Sequence, residues 1–565
     1  MHDTNSTSHS ASPISQSWSR WLWLALLLTT ALWFTTLGTR RLLNPDEGRY
    51  AEIPREMLVT GDWITPRLNG IKYFEKPPLQ YWMTASAYQV FGHNEFAARF
   101  WVGLTGFAGI LLAGFAGWRL FSRSAGLMAA GITAGSVLYL VIGHINTLDM
   151  GVSFFLQVTI CSFLLAQRAP AASTSERNWM LLAWAAAALA FLSKGLIALI
   201  LPSLTLLAYT VITREFSAWR RLHIFKGLLV FLALVLPWLI AVSRANPEFL
   251  HFFFLHEQFE RFLSDVHDRD GPWWYFLPLF VIGGLPWTFV AAGQFNHSWR
   301  LDGQQAGLQT RRFLLLWVVV VIGFFSVSHS KLPPYIVPVI PMFAMLVGDV
   351  FTRLAASALR THLLVMGITL ALLGITVGLL PDNIAGAKSV DVVINLRPDT
   401  ATGLLLAAAA MLVASQLLRK RSMEVVVLTA SLGMLLGMTI LIQGSNGLAA
   451  TRSGYALAQQ LAGKISPDTP VYAVQDYDQT LPFYLERLIT LVNYRGELDF
   501  GLTQQPELGI DTIEAFTKTW QEQHAAVAVM SPVVYSERLG MGLAMQIIAR
   551  QPQQLAVSKP STPQP

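Results

Sequence analysis

Apolar runs of about 17–22 residues recur along most of this chain, separated by short polar segments. Such a run is long enough for a helix to cross the hydrocarbon of a bilayer, where every backbone polar group must be satisfied within the protein. Runs centred near residues 29, 109, 134, 158, 186, 204, 233, 283, 321, 343, 371, 410 and 433 predict about thirteen membrane helices within residues 18–443. Residues 1–17 are rich in Ser, Thr and His with almost no large apolar side chain, which predicts a disordered tail.

The basic residues test this alternation. Arg20, the pair Arg119 and Arg123, the group Arg214, Arg220, Arg221 and Lys226, and the run Arg419-Lys420-Arg421 all fall on one side when each span is counted. Positive charge collects on the cytoplasmic side of membrane proteins, so the N-terminus is expected there. Residues 39–97, 144–149, 193–195, 244–272, 328–334, 382–400 and everything after 443 then lie on the opposite face. Those loops hold most of the Asp, Glu, His and Tyr. Arg49, Lys76, Lys194, Arg261 and Lys331 sit there against the charge rule, which points to anionic ligands.

Two of these loops carry the chemistry. In the first, residues 47–59 have helical spacing, with Asp46 and Glu47 at the N-terminal end that a helix dipole favours for acids. Glu75-Lys76-Pro77-Pro78 follows; proline pushes the residue before it out of the α region, so Lys76 is expected extended, ahead of a helix over 79–90. In the loop 244–272, His256-Glu257-Gln258-Phe259-Glu260-Arg261-Phe262 places His256 and Glu260 on one helical face, with Arg261 beyond. Each group also has a plain structural use. Asp46 and Glu47 can serve as helix N-terminal acids, Asp149 as a helix cap, and Lys76 as an interfacial lysine. His256 with Glu75 makes a partial site for a divalent cation, without the close spacing that marks a metal motif.

Past residue 443 the pattern changes to short β-type runs at 471–474, 488–492 and 525–530, alternating with helical stretches at 480–486 and 513–523. This predicts an extracytoplasmic α/β domain over 444–550. Residues 551–565, polar and proline-bearing, are expected to form a flexible tail. Asp476-Tyr477-Asp478 has the Asp-x-Asp form of nucleotide-sugar enzymes, but its place before a helix is explained by capping.

Composition narrows the class. Of 565 residues, 53% are hydrophobic and only 13% charged, about half the charged share of a soluble protein, so the net charge of +6 is no nucleic-acid footprint. The single cysteine, Cys161, excludes a disulfide or an iron–sulfur site within this chain. The absence of a phosphate-binding glycine loop or dinucleotide fingerprint argues against a nucleotide cofactor.

The segments Asn44-Pro45-Asp46-Glu47-Gly48-Arg49-Tyr50-Ala51-Glu52, Gly61-Asp62-Trp63 and Tyr73-Phe74-Glu75-Lys76-Pro77-Pro78 resemble the first periplasmic loop of bacterial aminoarabinose transferases, relatives of the protein O-mannosyltransferases. Lys331-Leu332-Pro333-Pro334-Tyr335 and the terminal domain extend the likeness. It implies a polytopic helical GT-C fold and transfer of 4-amino-4-deoxy-L-arabinose from undecaprenyl phosphate to lipid A, at the periplasmic face of the bacterial inner membrane. Asp46, with Glu47, Arg49 and Asp149, is the catalytic set the resemblance implies. It also implies Lys76, Arg261 and Tyr335 on the donor phosphate, and Glu75 with His256 around a divalent metal such as zinc. A single chain among membrane lipids is expected to suffice. Two other readings stay open: a related transferase for another sugar or a protein or glycan acceptor, and a transporter of lipid-linked sugar. No internal repeat favours the transporter.

Overall fold

The structure is a computed structural model that describes residues 13–254, 271–292, 307–380 and 390–560. Helix α1 (Pro13–Thr35) leads into the first loop. That loop folds as α2 (Asp46–Thr60), a hairpin of β1 (Arg67–Leu68) and β2 (Ile71–Lys72), and α3 (Leu79–Phe91). There follow α4 (Glu95–Leu120), α5 (Arg123–Ala134), α6 (Val137–Ile142), α7 (Asp149–Arg168), α8 (Thr174–Lys194) and α9 (Ile197–Thr213). Further helices run at Ile224–Ala245, Phe276–Gly283, Thr310–Val327, Val339–Phe351, Ala356–Leu379, Val390–Leu417 and Met423–Gly444.

All thirteen expected centres fall within these helices, yet among the described residues seven helices are long and apolar enough to cross a membrane. Several of the rest are broken or enclosed. The chain breaks at Gly135 between α5 and α6, and again between Phe276–Gly283 and Thr288–Ala292, where Pro286 removes a backbone donor. Val339–Phe351 has 13 residues and all of them are buried, so it is a core helix packed on every side by protein.

Helix α2 is of another kind. Its sequence is polar, yet every residue from Glu47 to Met57 is buried. A polar helix is stable in such a place only if its charges are paired. Arg55 pairs with Glu52 at 2.6 Å, while Glu56 accepts the backbone N–H groups of Asn69 at 2.5 Å and Gly70 at 2.8 Å. Gly61, in the left-handed region at φ 71°, ends the helix by donating its N–H to Met57. Pro78 stands just before α3 as its N-cap residue, one step earlier than a first-turn position.

The C-terminal domain is a six-stranded sheet in the order β5-β4-β3-β6-β8-β7. Its strands are β3 (Val471–Val474), β4 (Thr490–Val492), β5 (Gly509–Ile510), β6 (Val527–Met530), β7 (Gln546–Arg550) and β8 (Leu555–Ser558). The first four in that order are parallel, and β8 runs antiparallel to both of its neighbours, β6 and β7. Alternate side chains go to opposite faces. Tyr472, Val474, Ala528 and Met530 pack with Phe516 and Trp520, whereas Val471, Ala473, Val527 and Val529 pack with Tyr50, Ile53, Met57, Leu68 and Ile71. The first loop is therefore the second covering layer of this sheet. The expected flexible tail over 551–565 is corrected here: β8 lies inside the sheet, hydrogen-bonded to both β6 and β7. The four residues between Gln554 and Lys559 give too short a pattern to read, and only their pairing partners reveal the strand.

Candidate functional site

Glu47 is the anchor of the first loop. One oxygen accepts Arg40 at 2.8 Å and the Leu43 amide at 3.0 Å; the other accepts Arg99 Nε at 2.8 Å and the Asn146 amide at 3.0 Å. Further guanidinium bonds from both arginines, each 3.0 Å, complete the cage. Burial alone would raise the pKa of this carboxyl, but Arg40 and Arg99 together outweigh it and hold it at about 2. Only 2% of the residue is exposed. The sequence suggests a catalytic Glu47; in the structure both of its oxygens are taken up by protein donors, which makes it a residue that positions the loop.

One residue earlier, Asp46 points the other way, its side chain 44% exposed and 4.0 Å from the Arg49 guanidinium. Arg49 is buried. It donates to Gln479 Oε1 at 2.9 Å and to the Tyr73 hydroxyl at 3.0 Å, and reaches Glu497 at 3.4 Å. The sequence suggests a catalytic Arg49; in the structure its bonds to Gln479 and Glu497 tie α2 to the C-terminal domain, and its bond to Tyr73 ties α2 to the rest of the first loop. Helical geometry explains the contrast, because successive residues diverge by about 100° around the axis and only Asp46 faces outward.

Tyr50 lies within the electrostatic reach of several of these acids. Burial pushes the Tyr50 phenol up; Arg49 opposes this, and Asp46, Glu75 and Asp149 each add to it. Three carboxylates from separate parts of the chain thus act on a single hydroxyl. Tyr50 stacks on Tyr81 at 6.2 Å, and Tyr73 feels Arg49, Glu75 and both other tyrosines. Lys76 donates to the Glu75 carbonyl at 2.8 Å and lies 3.9 Å from its carboxylate.

Asp149 opens α7 from its first turn, where the helix dipole favours an acid, and Lys194 closes α8, where it favours a cation. The two helices pack side by side, so these ends meet in an ion pair. Asp149 is thus an ion-pair partner in the first turn, with Leu148 in the N-cap position. The Lys194 ammonium also lies 4.6 Å from the centre of the Tyr335 ring, and the Tyr335 hydroxyl is 3.4 Å from Ser330 Oγ. Lys194 had no role in the expected site; its charge on the wrong side of the membrane was the one signal available. Nearby in sequence, Lys331 is buried and donates to the Ser328 carbonyl at 2.6 Å.

His256 and Arg261 lie outside the described residues. The expected metal pair is therefore represented by Glu75 alone, and among the described residues no group of three or more His, Cys, Asp or Glu is placed to hold a metal ion. Chemically, the described site offers an accessible carboxylate at Asp46 together with ammonium groups at Lys76 and Lys194. That set can stabilise charge separation between a sugar and a departing phosphate, most strongly where water is excluded.

The crystal structure of ArnT from Cupriavidus metallidurans bound to undecaprenyl phosphate superimposes on this chain with a TM-score of 0.87 and 37% identity, covering 96% of this chain and 98% of that one. This chain belongs to the ArnT family of aminoarabinose transferases. The ArnT apo structure from the same organism gives a TM-score of 0.89 over 97% of this chain. A family model for the aminoarabinose transferase C-terminal domain matches residues 457–559, which includes β8, and one for dolichyl-phosphate-mannose-protein mannosyltransferase matches residues 21–253. Undecaprenyl phosphate-alpha-4-amino-4-deoxy-L-arabinose arabinosyl transferase 1 of Sodalis glossinidius is 35% identical over 351 residues, 60% of either chain. The alignment thus spans about three-fifths of that curated relative's length. An archaeal oligosaccharyltransferase from Archaeoglobus fulgidus, 12% identical with a TM-score of 0.52, shares the fold alone. An ArnT-type GT-C transferase is accordingly a multi-pass membrane protein, which agrees with the seven apolar helices.

Proposed function

We propose that this protein transfers 4-amino-4-deoxy-L-arabinose from undecaprenyl phosphate to a phosphate of lipid A, as a single chain at the periplasmic face of the bacterial inner membrane. The observation that carries the reading is the half-exposed Asp46 carboxylate together with two ammonium groups held beside acids, Lys76 at Glu75 and Lys194 between Asp149 and the Tyr335 ring. The names of the ArnT relatives support the sugar and its carrier.

Breaking the bond from the anomeric carbon to phosphate builds positive charge on the sugar and negative charge on the leaving group. Lys76 and Lys194 supply cations for the phosphate, with Tyr335 packed against Lys194. Asp46 supplies the carboxylate for the sugar. A hydroxyl acceptor would need that carboxylate as a base. A lipid A phosphate is already ionised near neutral pH, so Asp46 chiefly holds the donor's ammonium and developing oxocarbenium charge, or orients the acceptor. Glu75 with His256 would hold a divalent ion, which would supply further positive charge to the leaving phosphate.

The test is transfer by purified protein from lipid-linked aminoarabinose to lipid A, read by mass spectrometry. Wild-type protein should add aminoarabinose to lipid A, and Asp46→Asn should lose about 100-fold or more in turnover while still binding undecaprenyl phosphate. Near-wild-type turnover of Asp46→Asn with donor bound would remove Asp46 from this role.

A further inference from the structure

Strand order in the C-terminal sheet reverses between β3 and β6: β4 and β5 continue outward from one side of β3, and β6 lies on the other. In open α/β sheets the loops at the carboxyl ends of the strands flanking such a reversal form the crevice that receives a ligand. Here the loop after β3, residues 475–480, receives α2. A Cβ built on Gly48 would lie 2.5 Å from the carbonyl carbon and oxygen of Gln479 and from the Thr480 amide nitrogen, so two backbones meet where only glycine fits. Two hydrogen bonds lock the contact, and a third fixes Asn44 beside it. The Gln479 amide donates to Asn44 Oδ1 at 3.0 Å, Arg49 Nε donates to Gln479 Oε1 at 2.9 Å, and the Asn44 amide donates to the Arg452 carbonyl at 2.7 Å. Asn44, Gly48 and Arg49 bracket Asp46 along the chain, and Glu47 is caged from the opposite, membrane-helix side.

We propose that Gln479 is a positioning residue for the transfer: from the ligand-receiving loop of the C-terminal domain it fixes the first turn of α2, and so the aim of Asp46. The inference rests on the function proposed above. It also assigns a task to the C-terminal domain, whose β3 loop is filled by the protein's own helix.

Gln479→Ala removes the acceptor for Arg49 Nε and leaves the backbone contact on Gly48 in place. Turnover should fall about tenfold, as expected for a reacting group moved by a fraction of an ångström, with undecaprenyl-phosphate binding at its wild-type value and only a small fall in melting temperature from the unpaired Arg49 Nε. Gln479→Glu keeps an oxygen for Arg49 and should recover turnover to within about twofold of wild type. Gly48→Ala, which forces the backbones apart, should lower turnover further. Wild-type turnover in Gln479→Ala overturns the proposal. So does a loss of donor binding and of melting temperature in step with activity, which marks a merely structural contact. If the wild-type protein moves no aminoarabinose, the proposed function fails instead. In that case hydrogen exchange still tests whether Gln479 fixes the first turn of α2, and unchanged exchange of the α2 amides in Gln479→Ala overturns the proposal.

Discussion

Lys194 sits between Asp149 and Tyr335, ion-paired to the carboxylate and 4.6 Å from the centre of the aromatic ring. A lysine held by both a carboxylate and a ring face is fixed in position, which is what an anionic leaving group requires. Lys194→Gln should therefore lower turnover by about 100-fold, and Lys194→Arg, which keeps the charge with another shape, should retain more. Single-turnover assays with lipid-linked donor check the ranking. Equal activity of all three proteins would place Lys194 outside the reaction.

The strand β8 makes a prediction about where the chain can be cut. Leu555, Ala556 and Val557 are buried between β6 and β7, and two large apolar side chains are worth about 3–6 kcal/mol in burial. A domain holds only about 5–15 kcal/mol in total. A protein ending at residue 559 should fold and work normally, while one ending at 550 should lose the C-terminal domain. Limited proteolysis of the two purified proteins separates them, the shorter one being cleaved within 444–550.

Much of this organisation was legible in the sequence because hydrophobic periodicity is local. Long apolar runs placed thirteen helix centres, and the β-type runs at 471–474, 488–492 and 525–530 correspond to β3, β4 and β6. What stayed hidden depends on partners distant along the chain. The roles of Glu47 and Arg49 are set by Arg99 and Gln479, 52 and 430 residues away, and no pattern within α2 announces them. Asp46 and Glu47 look alike as neighbouring acids, yet one is caged and the other exposed. Lys194 needed Asp149 and Tyr335 to acquire a meaning beyond misplaced charge.

The Glu47 cage should dominate the stability of the first loop. Removing one partner of a buried ion pair leaves the other charged and unpaired, at a cost of about 3–5 kcal/mol. Glu47→Ala strands two guanidiniums at once, so this protein should be recovered poorly or melt well below wild type. Arg99→Lys keeps one charge but cannot reproduce the four bonds from the Arg99 guanidinium to Glu47, Leu37 and Arg40, and should destabilise to a lesser degree. Thermal unfolding in detergent checks both. A Glu47→Ala protein with wild-type melting temperature would mean that the cage contributes nothing to the fold.

Acid provides an independent handle on the same cage. Glu47 titrates near 2 in the folded protein and near its ordinary value of 4.5 once unfolded, so the unfolded chain binds its proton first as pH falls. The stabilisation is complete above pH 4.5 and drains away as the pH drops toward 2. Melting temperature should therefore fall across that window with a steeper slope in wild type than in Glu47→Gln, whose neutral amide has no proton to gain. Above pH 5 the two curves should run parallel, offset by the lost ion pairs. Parallel curves throughout the acid range would show that Glu47 carries no depressed pKa and that the two arginines do not hold it ionised.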